Sequence, residues 1–201
     1  FCVDLLGTSV LWWGLLVLLV GAVSAGLGAL FALSENRLRR VLAYSSIENV
    51  GIILIGVGTG MAGLATGSVP LALLGFLAAL YHSLNHSFFK GILFLGAGAV
   101  ESQAKTGSLN EMGGLGKRMP WTGLAFLIGA LAVSAIPPFN GFVSEWFTYQ
   151  ALFTGSLEKG FAMRAFLPLT AGLLALAGTL ATMVAIKTYG STFSGPARTL
   201  Q

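Results

Sequence analysis

Apolar residues run along this chain in five long stretches, at about residues 10–33, 41–61, 71–100, 120–153 and 166–186, separated by short polar punctuation. Each stretch reaches the roughly 20 apolar residues that a helix needs to cross a bilayer. The pattern therefore predicts an all-α membrane protein with five transmembrane segments. The first run is uncharged and ends at Ser34-Glu35-Asn36-Arg37-Leu38-Arg39-Arg40, which reads as a charged loop of seven residues. A small-residue turn over residues 63–70 follows the second run, and a polar stretch over residues 101–119 follows the third. Within that stretch, Gly113-Gly114-Leu115-Gly116-Lys117-Arg118 reads as a flexible turn that sets cations at a membrane surface. The fourth run has 34 residues, more than one crossing needs, with Pro137-Pro138-Phe139-Asn140-Gly141 near its middle. Adjacent prolines remove helical hydrogen bonds, so this segment is expected to be a discontinuous helix broken over Pro137, Pro138, Asn140 and Gly141.

Composition agrees with the pattern. Of 201 residues, 55% are hydrophobic and 9% charged, against about a quarter charged in soluble domains. A soluble core, a β-sandwich and a disordered tail are excluded. The 28 glycines have no three-residue period and suit membrane helices, whose backbones approach closely at small residues. Cys2 is the single cysteine, so no internal disulfide and no Cys-ligated iron–sulfur cluster is expected. The net charge of +4 forms no basic stripe, which argues against a nucleic-acid partner. With no initiator methionine and no signal-peptide pattern, the chain reads as a piece of a longer protein.

The cations are distributed unevenly. Arg37, Arg39, Arg40, Lys105, Lys117, Arg118, Lys187 and Arg198 follow runs one, three and five, whereas the alternate side has Lys159 and Arg164. Eight against two predicts a cytoplasmic carboxyl end and an amino end outside, in the inner (cytoplasmic) membrane.

Five ionisable residues remain inside the apolar runs: Glu48, His82, His86, Lys90 and Glu145. Unpaired, the three charged ones would cost roughly 8 to 10 kcal/mol in insertion. His82, His86 and Lys90 are spaced i, i+4 and i+8, spread over about 80° and about 12 Å of one helix face. Tyr81, Ser83, Asn85 and Ser87 are expected to widen this polar face, with Leu84 and Phe88 pointing away. The bland alternative is a pair of satisfied core histidines and a snorkelling lysine. Lys90 lies too deep for easy snorkelling. Zinc is disfavoured, because no Glu follows the first histidine and no third ligand is evident. Glu145 follows the proline break closely, with a structural salt bridge to Lys90 as its alternative role. Glu48 sits roughly 10 Å from the cytoplasmic end, where Asn49 could hold it. Histidine titrates near neutral pH, and burial disfavours the charged forms of lysine and glutamate. Together these residues could pass protons laterally as a coupled set.

Three blocks carry a family resemblance: Arg39-Arg40-Val41-Leu42-Ala43-Tyr44-Ser45-Ser46, Tyr81-His82-Ser83-Leu84-Asn85-His86-Ser87-Phe88-Phe89-Lys90-Gly91-Ile92-Leu93-Phe94-Leu95-Gly96, and Gly141-Phe142-Val143-Ser144-Glu145. They resemble the proton-antiporter-type membrane subunits found in respiratory complex I, cation/proton antiporter complexes and membrane-bound hydrogenases. Ile47-Glu48-Asn49-Val50-Gly51-Ile52-Ile53 and Phe94-Leu95-Gly96-Ala97-Gly98-Ala99-Val100 are most similar to the hydrogenase 4 and formate hydrogenlyase branch. The resemblance implies half of an inverted-repeat fold, with the first repeat absent. It makes His82, His86 and Lys90 the central proton relay and Glu145 the terminal acid, where other members carry lysine. It also implies neighbouring membrane subunits and a peripheral redox arm as partners. Iron–sulfur, nickel–iron or flavin groups are then expected only in those partners, with no cofactor or metal in this chain. Two alternatives remain: a secondary antiporter with a Na⁺ site near the break, or a structural membrane anchor of a redox complex.

Overall fold

A computed structural model describes residues 10–196 together with Arg198; Cys2 lies outside the described residues. Six α-helices follow in order: α1 (Leu11–Ser34), α2 (Leu38–Thr66), α3 (Val69–Ala104), α4 (Pro120–Val133), α5 (Asn140–Ser156) and α6 (Phe161–Phe193). By length and composition α1, α2 and α6 are long and apolar enough to cross a membrane.

The turns follow from local chemistry. Gly67 ends α2 in the left-handed region (φ 72°), where its N–H and that of Ser68 cap the carbonyls of Leu64 and Gly63; glycine adopts this conformation without a Cβ penalty. Pro70 and Pro120 sit in the first turns of α3 and α4, where the missing N–H has no helical acceptor to lose. The connection between α1 and α2 is three residues, 35–37, rather than the predicted seven. Arg39 and Arg40 already belong to the first turn of α2, neutralised by Glu101 at 2.6 Å and Glu35 at 3.8 Å. Glu35 also accepts the backbone N–H groups of Asn36 and Arg37 at 2.8 and 3.0 Å. Those bonds hold its carboxyl below the usual carboxylate range.

The stretch over residues 101–119 is not the loose turn expected. Its start continues α3, and a 3₁₀ turn covers Leu115–Lys117. Leu109, Met112 and Leu115 are buried beneath the helix ends. The Gly107 carbonyl accepts from Leu38 N, the Leu109 N–H reaches the Asn36 carbonyl, and the Gly114 N–H reaches the Ser194 carbonyl. Lys187 Nζ donates to the carbonyls of Leu33 and Glu35 at 2.8 and 2.6 Å, so α6 is tied to the same end. The basic residues that follow runs one, three and five thus gather at one end of the bundle.

The fourth run is two helices, and the break falls earlier than predicted. It covers residues 134–139, and Asn140 and Gly141 open α5 instead of forming part of the unwound stretch. Each proline disfavours helical conformation in the residue before it, and in a helix its ring would clash with the carbonyl four residues back, so the constraint falls on the amino side of the pair. Ala135 takes the left-handed region (φ 49°) inside this break. Gly141 is required for contact rather than flexibility, since a Cβ there would land on the Ala132 carbonyl oxygen.

Packing is most extensive between α1 and α2. Gly14, Gly21 and Gly28, seven residues apart, face the α2 backbone, and a Cβ on Gly28 would lie 2.5 Å from Glu48 N. Small residues give such helices the van der Waals contact that replaces a hydrophobic driving force in lipid. Two apolar cores result. One, around Leu38, Val41, Phe89, Leu93, Phe126 and Phe193, lies toward the basic end. The other, around Leu18, Ile52, Ile55, Leu71, Leu152 and Leu167, lies toward the opposite end.

Candidate functional site

A polar belt crosses the bundle between the two cores. In α2, buried Ser45, Glu48 and Asn49 separate Val41 and Leu42 of one core from Ile52 and Ile55 of the other. In α3, His82 and Asn85 come between Leu71 and Phe89, and in α5 Ser144 and Glu145 precede Leu152. Helical periodicity turns each group inward, while Leu84 and Phe88 of α3 face outward as expected.

His82 is the junction of the belt. It is 1% exposed, with Nδ1 2.9 Å from Ser144 Oγ on α5 and Nε2 3.1 Å from Asn49 Oδ1 on α2. Asn49 Nδ2 donates to the Ser45 carbonyl at 2.7 Å, so Asn49 serves His82 and not Glu48, which the sequence had paired it with. Three residues on, Asn85 and Asn140 exchange hydrogen bonds: Asn85 Nδ2 donates to the Asn140 carbonyl and Asn140 Nδ2 to Asn85 Oδ1, both at 3.0 Å. This clasp fixes the head of α5 against α3. Ser87 is exposed and bonds its own helix, so the polar face is narrower than the sequence suggested.

Lys90 is buried, and its Nζ donates to the Leu42 carbonyl at 3.1 Å, an oxygen that also accepts from Ser46 Oγ at 3.0 Å. No salt bridge to Glu145 forms. Among the described residues, the ion pairs are those of Arg39 and Arg40 at the basic end, and none involves Glu48, Lys90 or Glu145. Glu48 is 1% exposed, within electrostatic reach of both Lys90 and Glu145. Its Oε2 and the Nε2 of half-buried His86 are buried without a hydrogen-bond partner among the described residues. His86 packs its ring edge-on against Phe89, with centroids 5.5 Å apart.

Glu145 lies at the far side of the belt. Its carboxylate borders a cavity of about 410 Å³ lined by Ser134, Ala135, Tyr149, Thr179 and Thr182, which opens between α5 and α6 beside the break. Oε2 is the atom closest to where a Cβ on Gly178 would stand. Among the described residues no cluster of three metal-ligating side chains occurs. What the site brings together is a set of titratable groups spaced across the bundle from α2 through α3 to α5. Ser144 and Asn49 were missed as members of it. Their only sequence signal is adjacency to Glu145 and Glu48, because cross-helix partners have no fixed spacing along a chain.

The family model "NADH:quinone oxidoreductase/Mrp antiporter, TM" matches residues 1–167, and the chain belongs to that family. Among its relatives, hydrogenase-4 component B of Escherichia coli K12 is 53% identical over 94% of this chain and 28% of that protein. Formate hydrogenlyase subunit 3 of the same organism is 46% identical over 96% of this chain and 32% of its own length. The solved structure of the Mrp complex from Dietzia sp. DQ12-45-1b contains a chain that superposes with a TM-score of 0.75 at 26% identity, covering 93% of this chain and 30% of that one. The chain thus spans about a third of the relatives it matches.

Proposed function

We propose that this chain is the proton-carrying part of a membrane subunit in a hydrogenase- or NADH dehydrogenase-like complex. In this reading it passes protons laterally through Glu48, His82, His86, Lys90 and Glu145. The observation that carries the reading is the polar belt held between two apolar cores. It offers titratable groups a route along the membrane plane and keeps the route from opening to either side. The helices amount to five crossings, with α4 and α5 sharing one, in the inner membrane with the amino end outside and the carboxyl end cytoplasmic. Neighbouring membrane subunits would complete the relay at both ends, and a peripheral redox arm would supply the driving force, with its redox groups outside this chain. The energy required is modest, since moving one charge across 100 mV takes about 2.3 kcal/mol.

The test is proton translocation by the complete subunit in its assembled complex, reconstituted in proteoliposomes. Lys90→Ala and Glu145→Gln are each expected to lower the rate about a hundredfold while the complex still assembles. Wild-type rates in both variants would leave a structural anchor as the function. The likeness to the Mrp chain supports a second reading, a cation/proton antiporter whose cation meets Glu145 in the cavity beside the break. Sodium-dependent transport abolished by Glu145→Gln would favour it over proton passage alone.

A further inference from the structure

The groups around His82 determine which of its nitrogens takes up a proton. Asn49 Nδ2 donates to the Ser45 carbonyl at 2.7 Å, which leaves Oδ1, an acceptor only, 3.1 Å from His82 Nε2. Turning the amide over would press two oxygens together at the shorter contact, so the network assigns its orientation. Nε2 therefore carries a hydrogen whether the imidazole is neutral or charged. Nδ1 meets a different partner, the Ser144 hydroxyl at 2.9 Å. That hydroxyl has a second acceptor in the Gly141 carbonyl at 3.0 Å, with the Asn140 carbonyl at 3.4 Å. A hydroxyl has one hydrogen and two lone pairs, so it fits both states of the ring. Beside neutral His82 it donates to Nδ1; beside the charged ring it accepts from Nδ1–H and donates to Gly141.

We propose that Asn49 and Ser144 are positioning residues that confine the exchangeable proton of His82 to Nδ1, the nitrogen facing the broken helix α5, and that the Ser144 hydroxyl reverses each time His82 is loaded. Uptake adds to Nδ1 one proton handed on by a neighbouring carrier of the proposed relay and breaks no covalent bond at Ser144; the Ser144 O–H···Nδ1 hydrogen bond is exchanged for Nδ1–H···Oγ, and the Nε2–H bond to Asn49 persists throughout. Every donor and acceptor is satisfied before and after, with no heavy atom moved. Loading is then felt at the Gly141 carbonyl, the acceptor that α-helical geometry assigns to the backbone N–H of Glu145. The inference rests on His82 carrying protons, as proposed above.

Its test begins with a readout that needs no transport. Nitrogen-15 spectra of the full-length subunit, labelled at histidine and held in bilayers, are expected to show neutral His82 as a single Nε2–H tautomer with a hydrogen-bonded Nδ1. Asn49→Leu should shift the tautomer ratio toward Nδ1–H by about tenfold, the worth of one hydrogen bond. A wild-type Nδ1–H tautomer, or a ratio unmoved by Asn49→Leu, overturns the proposal. In the assembled complex, Ser144→Ala should slow proton translocation about tenfold, and Ser144→Thr, which keeps the hydroxyl, should restore it. Slowing in both, or in neither, counts against the role of Ser144. If Lys90→Ala abolishes translocation while these variants behave as wild type, the positioning scheme fails and the relay stands. If Lys90→Ala and Glu145→Gln leave the rate untouched, the relay fails whatever the spectra show.

Discussion

Lys90 directs its ammonium at a carbonyl rather than a carboxylate, and one oxygen of Glu48 has no hydrogen-bond partner among the described residues. For a stable core this is poor design, because a buried acceptor without a partner costs about 1 to 3 kcal/mol. For a proton carrier it is useful, since a group already satisfied by a fixed salt bridge would resist changing its charge. The same logic predicts a trade between stability and activity. Glu48→Met is expected to raise the stability of the complete subunit by about 1 kcal/mol, read as a higher midpoint of thermal unfolding in detergent, while slowing proton translocation. A fall in the midpoint would mean that the carboxylate holds the bundle together.

At the scale of elements, the close approach of α1 to α2 determines where Glu48 stands. Gly28 is the contact point, and a Cβ 2.5 Å from Glu48 N has no room. Gly28→Val is expected to force the two helices apart at a cost of about 1 to 3 kcal/mol, lowering the thermal midpoint and slowing transport together. Gly26, on the opposite side of α1, has open space at its Cβ, so Gly26→Ala should leave both measurements unchanged. Much of this architecture was legible beforehand. Runs of apolar residues fixed the helices, and the i, i+4, i+8 column marked His82, His86 and Lys90, because helical periodicity is written directly into residue spacing. Paired prolines announced the broken segment, although its unwound part begins three residues nearer the amino end than expected and ends two nearer, since the constraint of proline acts backwards along the chain. Partnerships between helices were not legible. Nothing in the order of residues says that Asn49 serves His82 instead of Glu48, or that Lys90 caps Leu42; those follow from the rotation and depth at which the helices dock.

For the whole molecule, the decisive asymmetry is that Lys187, Arg39 and the buried stretch around Leu109, Met112 and Leu115 share one end. Single cysteines should report this in intact cells after the native Cys2 is replaced. Lys159→Cys is expected to react with an impermeant maleimide added outside, and Lys105→Cys only after the membrane is opened. The reverse pattern would invert the orientation. The two apolar cores then have a consequence of their own. In the proposed relay they would act as insulation on either face of a conductor, steering charge placed in the belt sideways rather than toward either water phase. It would then leave through the edges that neighbouring subunits are proposed to cover, which makes the fidelity of coupling a matter of how well those seams are sealed.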